Sequence, residues 1–222
     1  MCNYYLWLDS LGLINNKRIP VIIVLGNHDI YREKYLSDLD YNYLYDRFCN
    51  DLESLHVTLL NNSVYEDRYV RFVGFLQPSC IYHSKDSLML EKDFYNSLDI
   101  NLFIGKNNKL NICVIHNPMN FYDKNIKNIL KNFDLVFAGH MHNGLIISFI
   151  DRLFKGNWGL IDPDKKFFSK ISRNCLKLGR NKYLVISGGI TKLSNRVGFL
   201  KSGNILFPME LDVINIYRKA KK

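Results

Sequence analysis

Three observations in the sequence predict a mixed α/β fold in which a β-sandwich is flanked by helices. Apolar runs without strict alternation recur between amphipathic segments, a pattern typical of strands that are covered on both faces. Three β-prone runs within 56–76 are separated by turn residues, which indicates an antiparallel meander. Two strand-like runs close the chain, at 182–189 and 209–217, and we expect them to be antiparallel as well.

The individual elements follow from hydrophobic periodicity and from the turn residues between them. Helices are predicted where apolar residues recur along one helix face, at 3–11, 40–55, 86–98 and about 123–132. Strands are predicted where apolar or β-branched runs are bounded by turn residues, at 21–25, 56–60, 63–66, 68–76, 109–115, 134–138, 182–189 and 209–217. The segment 145–182 shows no clear period, so we expect it to be irregular and to lie on the substrate side.

Composition describes an ordinary globular chain. Its 222 residues are 47% hydrophobic and 23% charged, and we expect one domain over 1–222. The five cysteines are odd in number and form no CxxC pair, which argues against a disulfide framework or a zinc ribbon. No run approaches the ~20 apolar residues of a membrane span. The sequence therefore predicts a cytoplasmic protein without a membrane span.

The net charge of +9 is compatible with an anionic partner. Lysine and arginine are scattered along the chain rather than clustered, apart from the terminal "YRKAKK". A basic patch is what nucleic-acid binding requires. We therefore expect no nucleic-acid partner, and charge alone decides little about function.

Polar side chains follow three of the predicted strands at the point where each strand ends. The strand 21–25 runs into "GNHD", with Asn27 and His28, the strand 109–115 ends at His116, and the strand 134–138 runs into "GHMH", with His140 and His142. Ligand-binding groups collect beyond the carboxyl ends of strands in open α/β sheets. One histidine at a strand end is usually structural, but four of the six histidines lie at these three places. The joint pattern predicts a shared site.

The kinds of donor atom indicate a transition-metal centre. His140 and His142 are separated by one residue after Gly139, where the backbone is not expected to stay flat, so each ring can face a different ion. Imidazole nitrogens combined with the amide oxygen of Asn27 suit Mn, Fe or Zn rather than Ca or Mg. Two ions about 3.5–4 Å apart clamp the attacking and leaving oxygens of a phosphoryl displacement. The remaining histidines, His56 and His83, have no such context and are interpreted as structural.

The ordered set of GNHD, a later lone histidine and a terminal GHxH resembles the motifs of the calcineurin-like metallophosphoesterases. The resemblance extends from residue 21 to about 214, and "GNWGLIDP" and "YLVISGGITKLSNRVG" resemble the bacterial branch of that family. It implies a four-layer α/β/β/α metallophosphoesterase fold. It also implies a metal-dependent phosphoester hydrolase, either a phosphodiesterase or a phosphatase. The implied substrate is a phosphoester small molecule or a nucleotide-like compound.

The resemblance also assigns a role to each candidate residue. Two divalent metal ions are implied, and the second would be held by the Asn27 side-chain oxygen together with His116 and His140. His142 would hold the first metal. His28 would be the catalytic residue that donates a proton to the leaving-group oxygen, or that stabilises the charge on the phosphorane.

Two motifs of the family pattern have no match here. The pattern opens with Asp-x-His and Gly-Asp-x-x-Asp, and nothing before residue 21 matches either. We therefore expect an N-terminally truncated domain, with the second-metal site better preserved than the first and with impaired activity. A naturally degenerate member, or a chain completed by a separate N-terminal segment, is the alternative origin. The alternative function is a non-catalytic binding scaffold of the same fold.

Overall fold

The computed structural model describes residues 20–27, 38–78, 80–118, 120–141, 159–161, 167–169, 171, 174–188, 214 and 216. Its helices are α1 (Asp38–Ser54), α2 (Cys80–His83), α3 (Ser87–Ser97) and α4 (Lys124–Leu130), and a 3₁₀ turn covers Ile100–Phe103. Its strands are β1 (Val21–Ile23), β2 (Val57–Leu59), β3 (Ser63–Glu66), β4 (Val70–Phe75), β5 (Leu110–Ile115), β6 (Leu135–Ala138), β7 (Gly159–Ile161), β8 (Phe167–Ser169), β9 (Asn174–Gly179) and β10 (Lys182–Ile186). No helix among these residues is long and apolar enough to cross a membrane.

The strands form one large mixed sheet and two small pairs. The large sheet has the order β3-β4-β5-β6-β10-β9. Within it β4, β5 and β6 are parallel, whereas β3 pairs antiparallel with β4. β1 and β2 form a parallel pair, and β7 and β8 form an antiparallel pair. A mixed sheet with flanking helices confirms the predicted α/β class.

The chain divides into two compact units. The first comprises Met1–Ala138 with Lys177–Leu184, and the second comprises Gly139–Leu176 with Val185–Lys222. The first unit contains β1 to β6 and all four helices, whereas β7 and β8 belong to the second. The expectation of one domain over 1–222 stays a prediction.

Two apolar clusters hold the first unit together. Helix α1 covers the β1–β2 pair, since Leu52 packs against Val57 and the neighbouring apolar side chains of both strands. On the large sheet, the Phe75 ring lies 5.6 Å from the Tyr95 ring and 5.2 Å from the Phe103 ring, measured between centroids. These contacts fix α3 and the 3₁₀ turn against β4, and aromatic pairs of this kind add about 0.5–1.5 kcal/mol each beyond burial.

Gly74 permits the β1–β2 pair to approach the large sheet closely within the first unit. A Cβ atom at this position of β4 would lie 2.9 Å from Val24 Cγ2 and in still closer contact with Leu60. Val24 follows β1, and Leu60 follows β2. The β1–β2 pair and the large sheet therefore meet at a position that has no room for a larger side chain.

The structure differs from the sequence prediction in two places. The run 56–60 was expected in an antiparallel meander, but β2 pairs in parallel with β1 because α1 provides the crossover that a parallel pair requires. Only the β3–β4 hairpin of the meander is present. The segment 145–182 was expected to be irregular, but its described part contains β7, β8 and β9. The helix 3–11 lies outside the described residues, as does the strand 209–217 except for positions 214 and 216.

Candidate metal centre

Asn27 and His116 meet at the carboxyl ends of two strands of the first unit. β1 ends at Ile23 and the chain reaches Asn27 four residues later, whereas His116 directly follows β5. The His116 Nε2 atom lies 2.9 Å from the Asn27 Oδ1 atom, which is a hydrogen-bond distance. Asn27 is buried, with 5% of its surface exposed. The structure thus brings two of the predicted site residues together.

Gly26 explains how the two side chains come so close. A Cβ atom on Gly26 would lie 2.6 Å from the Cε1 and Nδ1 atoms of the His116 ring. Any other residue at this position would therefore displace the ring. The absence of a side chain at Gly26 thus leaves room for the His116 imidazole.

Of the other three predicted site residues, the structure describes only His140. His28 and His142 lie outside the described residues. His140 belongs to the second unit and is buried, and its φ of 62° lies in the left-handed region that few residues except glycine adopt. The backbone after Gly139 therefore leaves the extended conformation, as the sequence analysis expected. His56, interpreted as structural, is exposed in the turn after α1.

The donor types of the pair, rather than its spacing, fit a metal ion. Metal–ligand bonds from nitrogen and oxygen to Zn²⁺ are roughly 2.0–2.2 Å long, so two ligands at the tetrahedral angle of Zn²⁺ are about 3.3–3.6 Å apart. The Asn27 and His116 donor atoms are 2.9 Å apart, which is the distance of a hydrogen bond between them. An amide oxygen and an imidazole nitrogen are ligand types that suit Mn, Fe or Zn. Within the described part of the chain there is no group of three or more His, Cys, Asp or Glu side chains that could hold a metal ion. Asn27 and His116 are therefore two donors that need further ligands.

A buried carboxamide supports the segment that carries His116. The Gln77 side chain is fully buried, its Oε1 atom accepts a hydrogen bond from the Asn117 N–H at 2.9 Å, and its Nε2 atom donates to the Asn117 carbonyl at 3.0 Å. The Tyr82 hydroxyl donates to the same Gln77 Oε1 atom at 3.3 Å. The Tyr82 ring also packs edge-on against the His116 ring, with centroids 5.8 Å apart. His116 is thus adjacent to a polar network that packs into the core.

Glu91 continues this network from helix α3. Its Oε1 atom lies 3.5 Å from Gln77 Nε2, and its Oε2 atom accepts a hydrogen bond from Asn120 at 2.7 Å. Burial raises the pKa of Glu91 to about 7, the nearby Asp123 carboxylate adds to the rise, and the hydrogen bond from Asn120 opposes it. A carboxyl group with a pKa of about 7 therefore belongs to the network around Gln77.

The Asn117 side chain is the least satisfied polar group of this region. It is fully buried, and neither its Oδ1 nor its Nδ2 atom has a hydrogen-bond partner among the described residues. Leaving a buried polar group unpaired costs about 1–3 kcal/mol. The chain therefore retains a costly side chain immediately after His116.

Sequence reasoning missed Gln77, Glu91 and Asn117. The signal for Gln77 was present, because this polar residue follows the apolar run of β4 in the same way that His116 follows β5. The same rule could have identified Asn117, which lies within "HNP" two residues after the end of β5. Glu91 gave no such signal, since a glutamate in an amphipathic helix is usually exposed.

Comparison with known proteins adds one match. A family model described as calcineurin-like phosphoesterase matches residues 3–144, which is more than half of the 222-residue chain. The matched range includes all five predicted site residues. No curated protein and no solved structure matches the chain.

Proposed function

The chain belongs to the calcineurin-like phosphoesterase family, and we propose that it acts as a metal-dependent phosphoester hydrolase with a dinuclear centre. The contact between Asn27 Oδ1 and His116 Nε2 carries this proposal. An amide oxygen and an imidazole nitrogen from two separate strand exits converge within hydrogen-bond distance, which brings two potential metal ligands to one place. These donor types favour Mn, Fe or Zn.

We assign the individual roles as follows. Asn27 and His116 hold one ion together with His140, and His142 holds the other. His28 protonates the leaving-group oxygen. Bound metal ions would polarise the phosphoryl group and lower the pKa of a water molecule. Weak binding and low turnover are expected, since this set contains neutral imidazoles and an amide but no carboxylate.

The substrate class proposed is a phosphodiester or a nucleotide-like diphosphate. The GHxH motif at residues 139–142 supports this choice over a phosphoprotein, because it resembles the motif of many phosphodiesterases in the family. A generic chromogenic phosphodiester, bis(4-nitrophenyl) phosphate, is therefore the appropriate first probe.

A metal titration followed by a turnover assay tests the proposal. Mn²⁺ or Zn²⁺ is titrated into the wild-type chain and into His116→Ala, and hydrolysis of the chromogenic diester is then measured. We expect His116→Ala to lose both metal binding and turnover. The matched control is His56→Asn, which changes an exposed histidine of positive φ into a residue that tolerates this conformation.

Two outcomes would overturn the proposal. One is a wild-type chain that binds neither Mn²⁺ nor Zn²⁺, and the other is His116→Ala that binds and turns over as well as the wild type. A stable, folded chain that remains metal-free and inactive would favour the alternative function of a non-catalytic binding scaffold.

A further inference from the structure

Gln77 lies where the parallel pairing of β4 and β5 stops. The last residues in register are Phe75 and Ile115, so Gln77 and Asn117 would be the next aligned pair on the same side. Where this ladder stops, the Gln77 side chain makes two bonds to the Asn117 main chain, one from the Asn117 N–H and one to the Asn117 carbonyl. A carboxamide has the same donor and acceptor as a peptide group. Gln77 therefore continues the ladder with its side chain.

The surroundings fix the orientation of this carboxamide. Its oxygen faces two donors, the Asn117 N–H and the Tyr82 hydroxyl. Its nitrogen faces two acceptors, the Asn117 carbonyl and the Glu91 Oε1 atom. A flipped amide would place donors against donors and acceptors against acceptors. Only one orientation satisfies the network, so Gln77 holds the Asn117 main chain in one place.

His116 lies between this clamp and the end of β5. Ile115 is held by the ladder to Phe75, and Asn117 is held by Gln77, so the main chain on both sides of His116 is fixed. A second connection runs through Tyr82, whose hydroxyl bonds to Gln77 and whose ring packs on the imidazole. The direction of the His116 ring therefore depends on Gln77 through both the main chain and Tyr82.

We propose that Gln77 is a positioning residue that holds the His116 imidazole towards the Asn27 oxygen, with Tyr82 as its second support. The inference rests on the proposed function only where it concerns metal affinity. Groups that orient a metal ligand typically change affinity by roughly 10–100-fold when they are removed. A loss of this size is expected when the Gln77 carboxamide is replaced.

The chain supplies a matched control at the other end of β5. Asn111 is buried, and its carboxamide grips the main chain of Lys106 in the same way, with its Oδ1 atom accepting from the Lys106 N–H at 2.8 Å and its Nδ2 atom donating to the Lys106 carbonyl at 3.0 Å. Asn111→Leu removes a comparable clamp without touching the His116 segment. It therefore separates loss of stability from loss of positioning.

The experiment compares Gln77→Met with Asn111→Leu in the full chain. In the metal-free protein, the ring carbon–proton signals of His116 are measured by NMR, and Zn²⁺ or Mn²⁺ affinity is then measured by titration. We expect Gln77→Met to shift or broaden the His116 signals and to weaken metal binding roughly 10–100-fold. Asn111→Leu should destabilise the fold but leave both readouts near the wild type.

The outcomes separate this inference from the proposed function. A wild-type chain that binds neither metal refutes the proposed function. In that case the His116 ring signals of the metal-free proteins still test whether Gln77 positions the imidazole. Unchanged His116 signals in Gln77→Met, or equal changes in Asn111→Leu, would overturn the inference. If Gln77→Met does not fold, Tyr82→Phe removes one bond to Gln77 but keeps the ring. It is then expected to shift the same signals and to weaken metal binding roughly twofold or more, and unchanged signals in this variant would refute positioning.

Discussion

Replacement of Glu91 by glutamine should remove a pH dependence of stability. The pKa of this carboxyl is about 7 in the folded protein, compared with an ordinary value of 4.5, chiefly because the side chain is buried. Between these values the folded protein keeps the Glu91 proton and the unfolded chain releases it. The stability that this group contributes is therefore complete below pH 4.5 and is lost as the pH rises to about 7.

The size of the effect follows from the two pKa values. From pH 5 to pH 8 the contribution of Glu91 to the free energy of unfolding falls by about 2.5 kcal/mol, at about 1.4 kcal/mol per pH unit. Glu91→Gln lacks this titration, so its stability relative to the wild type should rise by that amount over the same range. Taking the difference between the two proteins cancels the constant cost of any repacking near Gln77 and Asn120.

Urea denaturation at several pH values between 5 and 8 measures this difference. Asp93→Asn is the control, because Asp93 is an exposed carboxylate on the same helix, α3. It should keep the pH slope of the wild type. A difference between Glu91→Gln and the wild type that stays constant across the pH range would refute the reasoning that burial holds a proton on Glu91.

Two further predictions concern the His116 segment. Asn117→Leu should raise the free energy of unfolding by about 1–3 kcal/mol, since it removes buried polar atoms that have no partner among the described residues. Asn111→Leu should lower the free energy of unfolding by a similar amount, since it removes the bonds of a satisfied carboxamide. Urea denaturation measures both, and a loss of stability in Asn117→Leu would contradict the view that its amide lacks partners. Gly26→Ala should displace the His116 ring and shift its NMR signals, but Gly179→Ala should not, because its nearest atom is a Lys182 side-chain carbon at 3.9 Å. Equal shifts in the two glycine variants would exclude a steric role for Gly26.

The sequence was sufficient to predict that Asn27 and His116 lie close together, because each follows an apolar run. Such a run predicts a buried strand, and a polar residue at its carboxyl end predicts a side chain at the sheet edge. The same rule places the Gln77 side chain at a sheet edge, because Gln77 follows the apolar run of β4. In the antiparallel meander that was expected for β4, strand ends alternate between the two edges, so the contact of Gln77 with Asn117 did not follow from the sequence. The structure pairs β4 in parallel with β5, so Gln77 and Asn117 lie at the same edge.

Other features depend on tertiary contacts that no local pattern encodes. The burial of Glu91 arises from packing of α3 against β4, and its pKa follows from that burial. The parallel pairing of β2 with β1 depends on how the chain returns after α1. Each of these strands has only three residues, so the sequence offers little periodicity from which to predict the pairing. The positions of α1, α3 and α4 and of β1 to β6 and β10 were therefore predictable, whereas α2, β7 to β9, the strand partners and the burial of single side chains were not.

The two ends of β5 differ in a way that favours a functional role for the carboxyl end. At the amino end the Asn111 carboxamide is fully used, with bonds to the main chain of Lys106 and Lys109. At the carboxyl end a similar clamp by Gln77 is accompanied by the Asn117 amide, which has no hydrogen-bond partner in the described part of the chain, and by the Glu91 carboxyl, whose pKa is about 7. Both features cost stability, and perturbed or unpaired buried groups cluster at functional sites. Since the same strand is held by a satisfied carboxamide at its other end, holding the strand does not require these costs. They are accounted for if the carboxyl end must place His116 against Asn27.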